Sequence, residues 1–140
     1  MCQRLSDDLR RAGIRADCLH GDIKQATREK TMADFRHGKL PVLIATDVAS
    51  RGIDVDDVDG VINYDVPEEN EYYIHRIGRT GRARKKGISF TLLGSFPEKA
   101  KLDEIAKFAG FRIVPMIFDE YGCLVPAPAE EKHPTSRRRF

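Results

Sequence analysis

Arg76, Arg79 and Arg82 recur at a spacing of three in the string His75-Arg76-Ile77-Gly78-Arg79-Thr80-Gly81-Arg82, with Gly78 and Gly81 between them. A guanidinium is a planar fork of donors that meets phosphate oxygens two at a time. Glycine lets a backbone approach a ligand closely and take up dihedrals that other residues resist. Together these residue types suit a rigid phosphate clamp. The plain alternative for any arginine-rich stretch is a basic, solvated helix end.

A second string, Ala45-Thr46-Asp47-Val48-Ala49-Ser50-Arg51-Gly52-Ile53-Asp54, directly follows the apolar run Val42-Leu43-Ile44. A short apolar run that ends in small and polar residues reads as a buried strand with a functional loop at its C-terminal end. In open α/β sheets ligands bind at that end. The loop offers a hydroxyl (Thr46), carboxylates (Asp47, Asp54), a guanidinium (Arg51) and a glycine (Gly52).

Alternating elements must position these residues. Leu5, Leu9 and Ala12 share one face of a helix over 3–12, stopped by Gly13. A short strand is expected at 14–19. An amphipathic helix over 25–37 carries Ala26, Lys30, Ala33 and Phe35 and ends at Gly38. Strands follow at 42–46 and 60–64, then a helix from about Asn70 into the arginine string. A strand at 87–93 and a helix at 97–109 complete the series, with Pro97 at the helix start and Gly110 after it. Strands alternating with helices argue a parallel sheet joined by right-handed crossovers. There are no internal repeats. From about Pro126 the composition turns to Pro, Glu, Lys and Arg and ends Arg137-Arg138-Arg139-Phe140, which reads as a flexible tail.

The chain has 140 residues, 41% hydrophobic and 33% charged, enough for one domain with a single sizeable core. No apolar run approaches a membrane span, so no membrane partner is expected. Cys2, Cys18 and Cys123 are an odd number without paired metal spacing, which suggests reduced thiols and a cytoplasmic setting. The net charge of +2 hides a segregation. Residues 54–71 hold eight carboxylates and no Lys or Arg, whereas residues 76–86 hold six cationic side chains and no carboxylate. The basic block suits polyphosphate, in a nucleotide or a nucleic-acid backbone. The acidic stretch reads as a solvated rim rather than a metal site, since it lacks a calcium loop's glycine and closing glutamate.

In order and distance the two strings resemble the last two signature motifs of the DEAD-box RNA helicases. The resemblance covers about residues 1–115, which look like that family's C-terminal RecA-like domain, leaving 116–140 as a C-terminal extension and basic tail. It implies an α/β fold, a RecA-like parallel sheet with helices on both faces and the family's first, interior strand missing. It also implies roles. Leu19-His20-Gly21-Asp22 and Gln25-Ala26-Thr27-Arg28 match the family's first RNA-contacting stretch, so Gly21 would belong to the RNA surface. Arg28 would hold a phosphate there from a helix N-terminus. Thr46 and Gly52 would touch the RNA backbone, with Arg51 organising that loop on the same RNA-binding surface. Asp54 would bond the ribose hydroxyls of ATP. Arg79 and Arg82 would act catalytically on the γ-phosphate, and His75 and Arg76 would link the ATP and RNA sites.

The chain has no Gly-x-x-x-x-Gly-Lys-Ser/Thr loop and no Asp-Glu-Ala-Asp. The resemblance assigns both, and with them the Mg²⁺ ligands, to the family's N-terminal RecA-like domain. That domain, RNA and ATP are therefore the expected partners, and the chain alone is expected to be inactive. Two alternatives stay open at this point: the equivalent half of a neighbouring helicase group acting on DNA or structured RNA, and a non-catalytic RNA-binding adaptor.

Overall fold

Polar contacts as well as apolar ones set the first helix in place. In the computed structural model, which describes residues 1–50, 53, 55–82 and 86–129, helix α1 (Cys2–Arg11) lies against strand β1 (Ala16–Leu19). Ser6 is fully buried and donates from Oγ to the Ala16 carbonyl at 3.3 Å, while Arg10 Nε donates to the same oxygen at 2.8 Å. The leucine face expected from spacing is therefore displaced. Leu5 and Leu9 are half-buried and Ala12 is exposed at the cap, because the seam runs along Ser6. β1 also starts two residues later than expected, leaving Ile14 exposed.

Helix α2 (Gln25–Arg36) crosses over to strand β2 (Val42–Ala45), and the two strands pair in parallel from Ala16↔Val42 to Leu19↔Ala45. Thr31 and Met32 are the buried residues of α2; the expected Ala26 and Lys30 are exposed. A single helical turn that the sequence did not suggest, α3 (Asp47–Ser50), follows β2. Thr46 Oγ1 accepts from Ala49 N at 3.3 Å, the kind of side-chain cap that starts a helix.

The second parallel pair joins strand β3 (Gly60–Asn63) to strand β4 (Ile88–Thr91), in register from Gly60↔Ile88 to Asn63↔Thr91. Helix α4 (Asn70–Ile77) lies between them in sequence and helix α5 (Phe96–Ala109) follows. α5 begins with a reciprocal cap: Glu98 N donates to Ser95 Oγ at 3.4 Å, and Glu98 Oε2 accepts from Gly94 N at 2.8 Å. It ends at Gly110 with φ +75°.

The α/β class and the parallel pairing match expectation, but the sheet is not continuous. Among the described residues β2 pairs only with β1, and β3 only with β4. No described strand fills the interior position that the resemblance gives to the family's first strand. Each pair accordingly has its own core. Leu19, Met32, Ala49 and Val55 form one; Tyr73, Leu102 and Ile105 form the other. On one face of β3–β4, Tyr73 Oη lies 2.9 Å from Thr91 Oγ1 and its ring stacks on Phe111 at 5.8 Å. On the opposite face Ile62, Ile88 and Phe90 remain 70%, 55% and 42% exposed.

A hairpin of strands β5 (Met116–Phe118) and β6 (Leu124–Pro126) follows α5, where the sequence suggested only an extension. Its turn is built by Asp119 Oδ1, which accepts from Tyr121 N and Cys123 N at 2.9 and 2.8 Å, and by Gly122 at φ +75°. The basic tail from residue 130 lies outside the described residues. No helix among the described residues is long and apolar enough to cross a membrane.

Candidate phosphate and nucleic-acid site

The arginine string begins as helix and ends as a turn. α4 stops at Ile77, and Val58 then bridges to Thr80. Val58 N donates to the Arg79 carbonyl at 3.1 Å, and Thr80 Oγ1 donates to the Val58 carbonyl at 2.5 Å. Gly81 has φ +70°, a conformation that favours glycine. The approach to β4 packs so closely here that a Cβ on Gly87 would lie 2.6 Å from Gly81 N. Glycines at both positions let the turn hold its arginines close to the loop that follows β2.

Arg76 is the most enclosed of the three, its side chain 18% exposed. Its Nε and Nη2 donate to the two carboxylate oxygens of Asp47 at 2.8 and 2.7 Å, and Nη1 donates to Asp65 through both the carbonyl and Oδ1. Burial acts to lower its pKa, but bonding to Asp47 and then Asp65 outweighs this and holds the guanidinium above its ordinary range. Arg76 is thus a fixed clamp between α4 and α3.

Arg79 and Arg82 converge on one carboxylate. Arg79 Nη1 lies 3.6 Å from Asp56 Oδ1, and Arg82 Nη1 lies 2.9 Å from Asp56 Oδ2. Arg79 also donates to the Ile53 carbonyl at 3.2 Å, and Arg82 Nε to the Gly78 carbonyl at 2.6 Å. Beside them an open cavity of about 500 Å³ is lined by Asp47, Ser50, Tyr72, His75, Arg76 and Arg79. His75 is exposed at its rim.

Of the residues expected to meet RNA, Gly21 and Thr46 stand at the C-terminal ends of β1 and β2, and Arg28 lies on α2. Thr46 N donates to the Leu19 carbonyl at 3.4 Å. Gly21 stands two residues beyond Leu19 in an exposed turn where an added Cβ would meet nothing within 4 Å. Arg28 Nη2 donates to the Ala49 carbonyl at 2.7 Å, tying α2 to α3. It also lines a shallow cleft of about 170 Å³ with Gln25, Glu29, Met32 and Arg36. Arg51, Gly52 and Asp54 lie outside the described residues. Cys18 is buried in β1, and burial, followed by Asp17, pushes its thiol pKa up, which keeps it protonated and inert.

The acidic stretch is more than a solvated rim. Asp56 and Asp65 pair with arginines of the string, as does Asp47 from the β2 loop. Sequence inspection missed these roles because the partners lie far apart in the chain, and it did not place Ser50 and Tyr72 in the cavity lining. The segregation of acid and base was the one available signal. Among the described residues no group of three His, Cys, Asp or Glu side chains could hold a metal ion.

A family profile described as the helicase conserved C-terminal domain matches residues 1–84. The mouse probable ATP-dependent RNA helicase DDX17 is 46% identical over 118 residues, 83% of this chain but 18% of that protein. A structure of the C-terminal domain of the DEAD-box protein Dbp5 superposes with a TM-score of 0.72 at 38% identity, covering 77% of this chain and 63% of that one. Saccharomyces cerevisiae Dbp5 bound to RNA and ADP BeF3 gives a TM-score of 0.72 at 37% identity, over 78% of this chain and 29% of that one. This chain therefore spans less than a fifth of the mouse relative's length. The profile covers more than half of the chain, and with these likenesses it establishes that the protein belongs to the helicase conserved C-terminal domain family, as a DEAD-box member with the RecA-like fold.

Proposed function

We propose that the chain works as the C-terminal half of a DEAD-box ATP-dependent RNA helicase, supplying arginine fingers for hydrolysis and part of the RNA-backbone surface. The observation that carries this is the convergence of Arg79 and Arg82 on the two oxygens of a single carboxylate. Two guanidinium groups that reach one carboxylate can also reach one phosphoryl group. Phosphoryl transfer needs positive charge where the transition state spreads negative charge.

In this account the N-terminal RecA-like domain supplies the phosphate cradle and the Mg²⁺ ligands. ATP-driven closure then brings the γ-phosphate to Arg79 and Arg82, and Asp54 meets the ribose. Hydrolysis thereby depends on domain geometry. Arg76 holds α4 to α3 through Asp47, so a shift of the arginine string moves the loop that carries Thr46. With His75 at the cavity rim, that is a physical route between the ATP and RNA sites. Gly21, Arg28, Thr46, Arg51 and Gly52 would grip RNA through phosphates and 2′-hydroxyls, with little sequence preference. Dbp5, solved with RNA and ADP BeF3, supports the pairing of these ligand classes on this fold. The proposed setting is cytoplasmic.

The test joins this chain to a DEAD-box N-terminal domain and measures RNA-stimulated phosphate release. Arg82→Ala should lower turnover by about 10³–10⁵-fold while RNA binding stays measurable. Arg82→Lys should rescue poorly, since a point charge cannot replace the fork. Near-wild-type turnover in Arg82→Ala would refute the finger assignment.

A further inference from the structure

Of the carboxylates that meet the arginine string, Asp56 is placed differently from the others. Asp47 binds Arg76 bidentately, with the two side chains 33% and 18% exposed. Asp56 spreads its two oxygens over two arginines instead, and it and Arg82 are 44% and 51% exposed. Each guanidinium has a second anchor on a backbone carbonyl, Ile53 for Arg79 and Gly78 for Arg82. These anchors orient the forks without the carboxylate. One oxygen per arginine is also how a phosphoryl group would engage the pair. The enclosed pair is a permanent clamp, whereas the exposed one can exchange at little cost.

We infer that Asp56 stands in for a phosphoryl group: its carboxylate occupies Arg79 and Arg82 until a polyphosphate displaces it. This rests on the proposal that those arginines bind phosphate. The consequence is competition. A ligand that must displace an internal partner binds with an affinity lowered by the fraction of molecules in which that partner is engaged. Asp56 therefore competes for the arginines and weakens their hold, which favours release once the phosphate chain is shortened.

The experiment titrates the 140-residue chain with sodium tripolyphosphate in metal-free, low-salt buffer by isothermal calorimetry, with thermal melts to confirm folding. Asp56→Asn should tighten binding about three- to tenfold, the range that the loss of two exposed ion pairs allows. Asp56→Ser, which also lacks the charge, should do the same, and Asp56→Glu should stay near wild type. Asp59→Asn removes an equal charge three residues away and should change affinity less than about twofold. Unchanged or weaker binding in both Asp56→Asn and Asp56→Ser would overturn the inference. So would equal tightening by Asp59→Asn, which would reduce the effect to net charge. Arg82→Ala separates the two claims. It should weaken binding; if it does not, the finger assignment itself fails, whatever Asp56 does.

Discussion

The half built on β1 and β2 and the half built on β3 and β4 contain the same parts, yet they are finished differently. In the first, Ala16, Cys18 and Leu19 of β1 are sealed between α1 and α2. In the second, α4 and α5 cover only one face, and Ile62, Ile88 and Phe90 stay open on the other. Among the described residues no apolar cluster spans the two halves; their cores are separate. The seam is instead crossed by polar contacts. Arg76, Arg79 and Arg82 of the second half reach Asp47, Ile53 and Asp56 of the first, and Thr80 reaches Val58. The halves are thus coupled by the arginines that the proposed chemistry uses. A seam in which the Asp56 contacts can exchange while the Asp47–Arg76 clamp holds can respond to an anionic ligand in a way that a packed apolar seam cannot.

Core substitutions sharpen the comparison most. Leu19→Ala should cost about 2–5 kcal/mol, because Leu19 is fully buried and the site cannot collapse fully around the void. Ile62→Ala, on the open face of the second half, should stay within about 0.5 kcal/mol. Urea unfolding of both variants decides this, and equal costs would mean that the open face is in fact packed.

The seam itself is tested next. Arg76→Ala should destabilise by about 2 kcal/mol, less than a fully buried pair would lose, because Asp47 keeps some contact with water. A double-mutant cycle with Asp47→Ala should return about 1–2 kcal/mol of coupling. A coupling near zero would leave the halves joined by something other than this clamp. A smaller loss than that of Arg76→Ala is expected far from the seam, where Ser95→Ala should cost about 1 kcal/mol by removing the cap of α5. Thermal melts would register it, without any change in polyphosphate binding.

Features set by neighbours in sequence were legible beforehand, and those set by distant partners were not. The arginine string, the strand before Thr46, and α5 with Pro97 and Gly110 all announce themselves through local spacing. α3 did not, because four residues carry no period; Thr46 and the Asp47–Arg76 pair hold it. The 116–126 hairpin was hidden because apolar side chains stand on both its faces, which removes the alternation that marks a strand. The partner role of Asp56 could not be read, since Arg82 lies 26 residues away. The split of the sheet depends on which strand edges meet, a property that pattern alone does not encode.

The central claim is that these arginines act on a phosphate held by a separate domain. The most direct measurement is phosphate release, with and without RNA, from the 140-residue chain alone, from the chain mixed with a DEAD-box N-terminal domain, and from the two joined in one polypeptide. The account predicts no turnover from the chain alone and little from the mixture, where the high effective concentration supplied by a linker is absent. The joined protein should show RNA-dependent turnover. RNA-stimulated release by the isolated chain, after controls for contaminating ATPase, would contradict it.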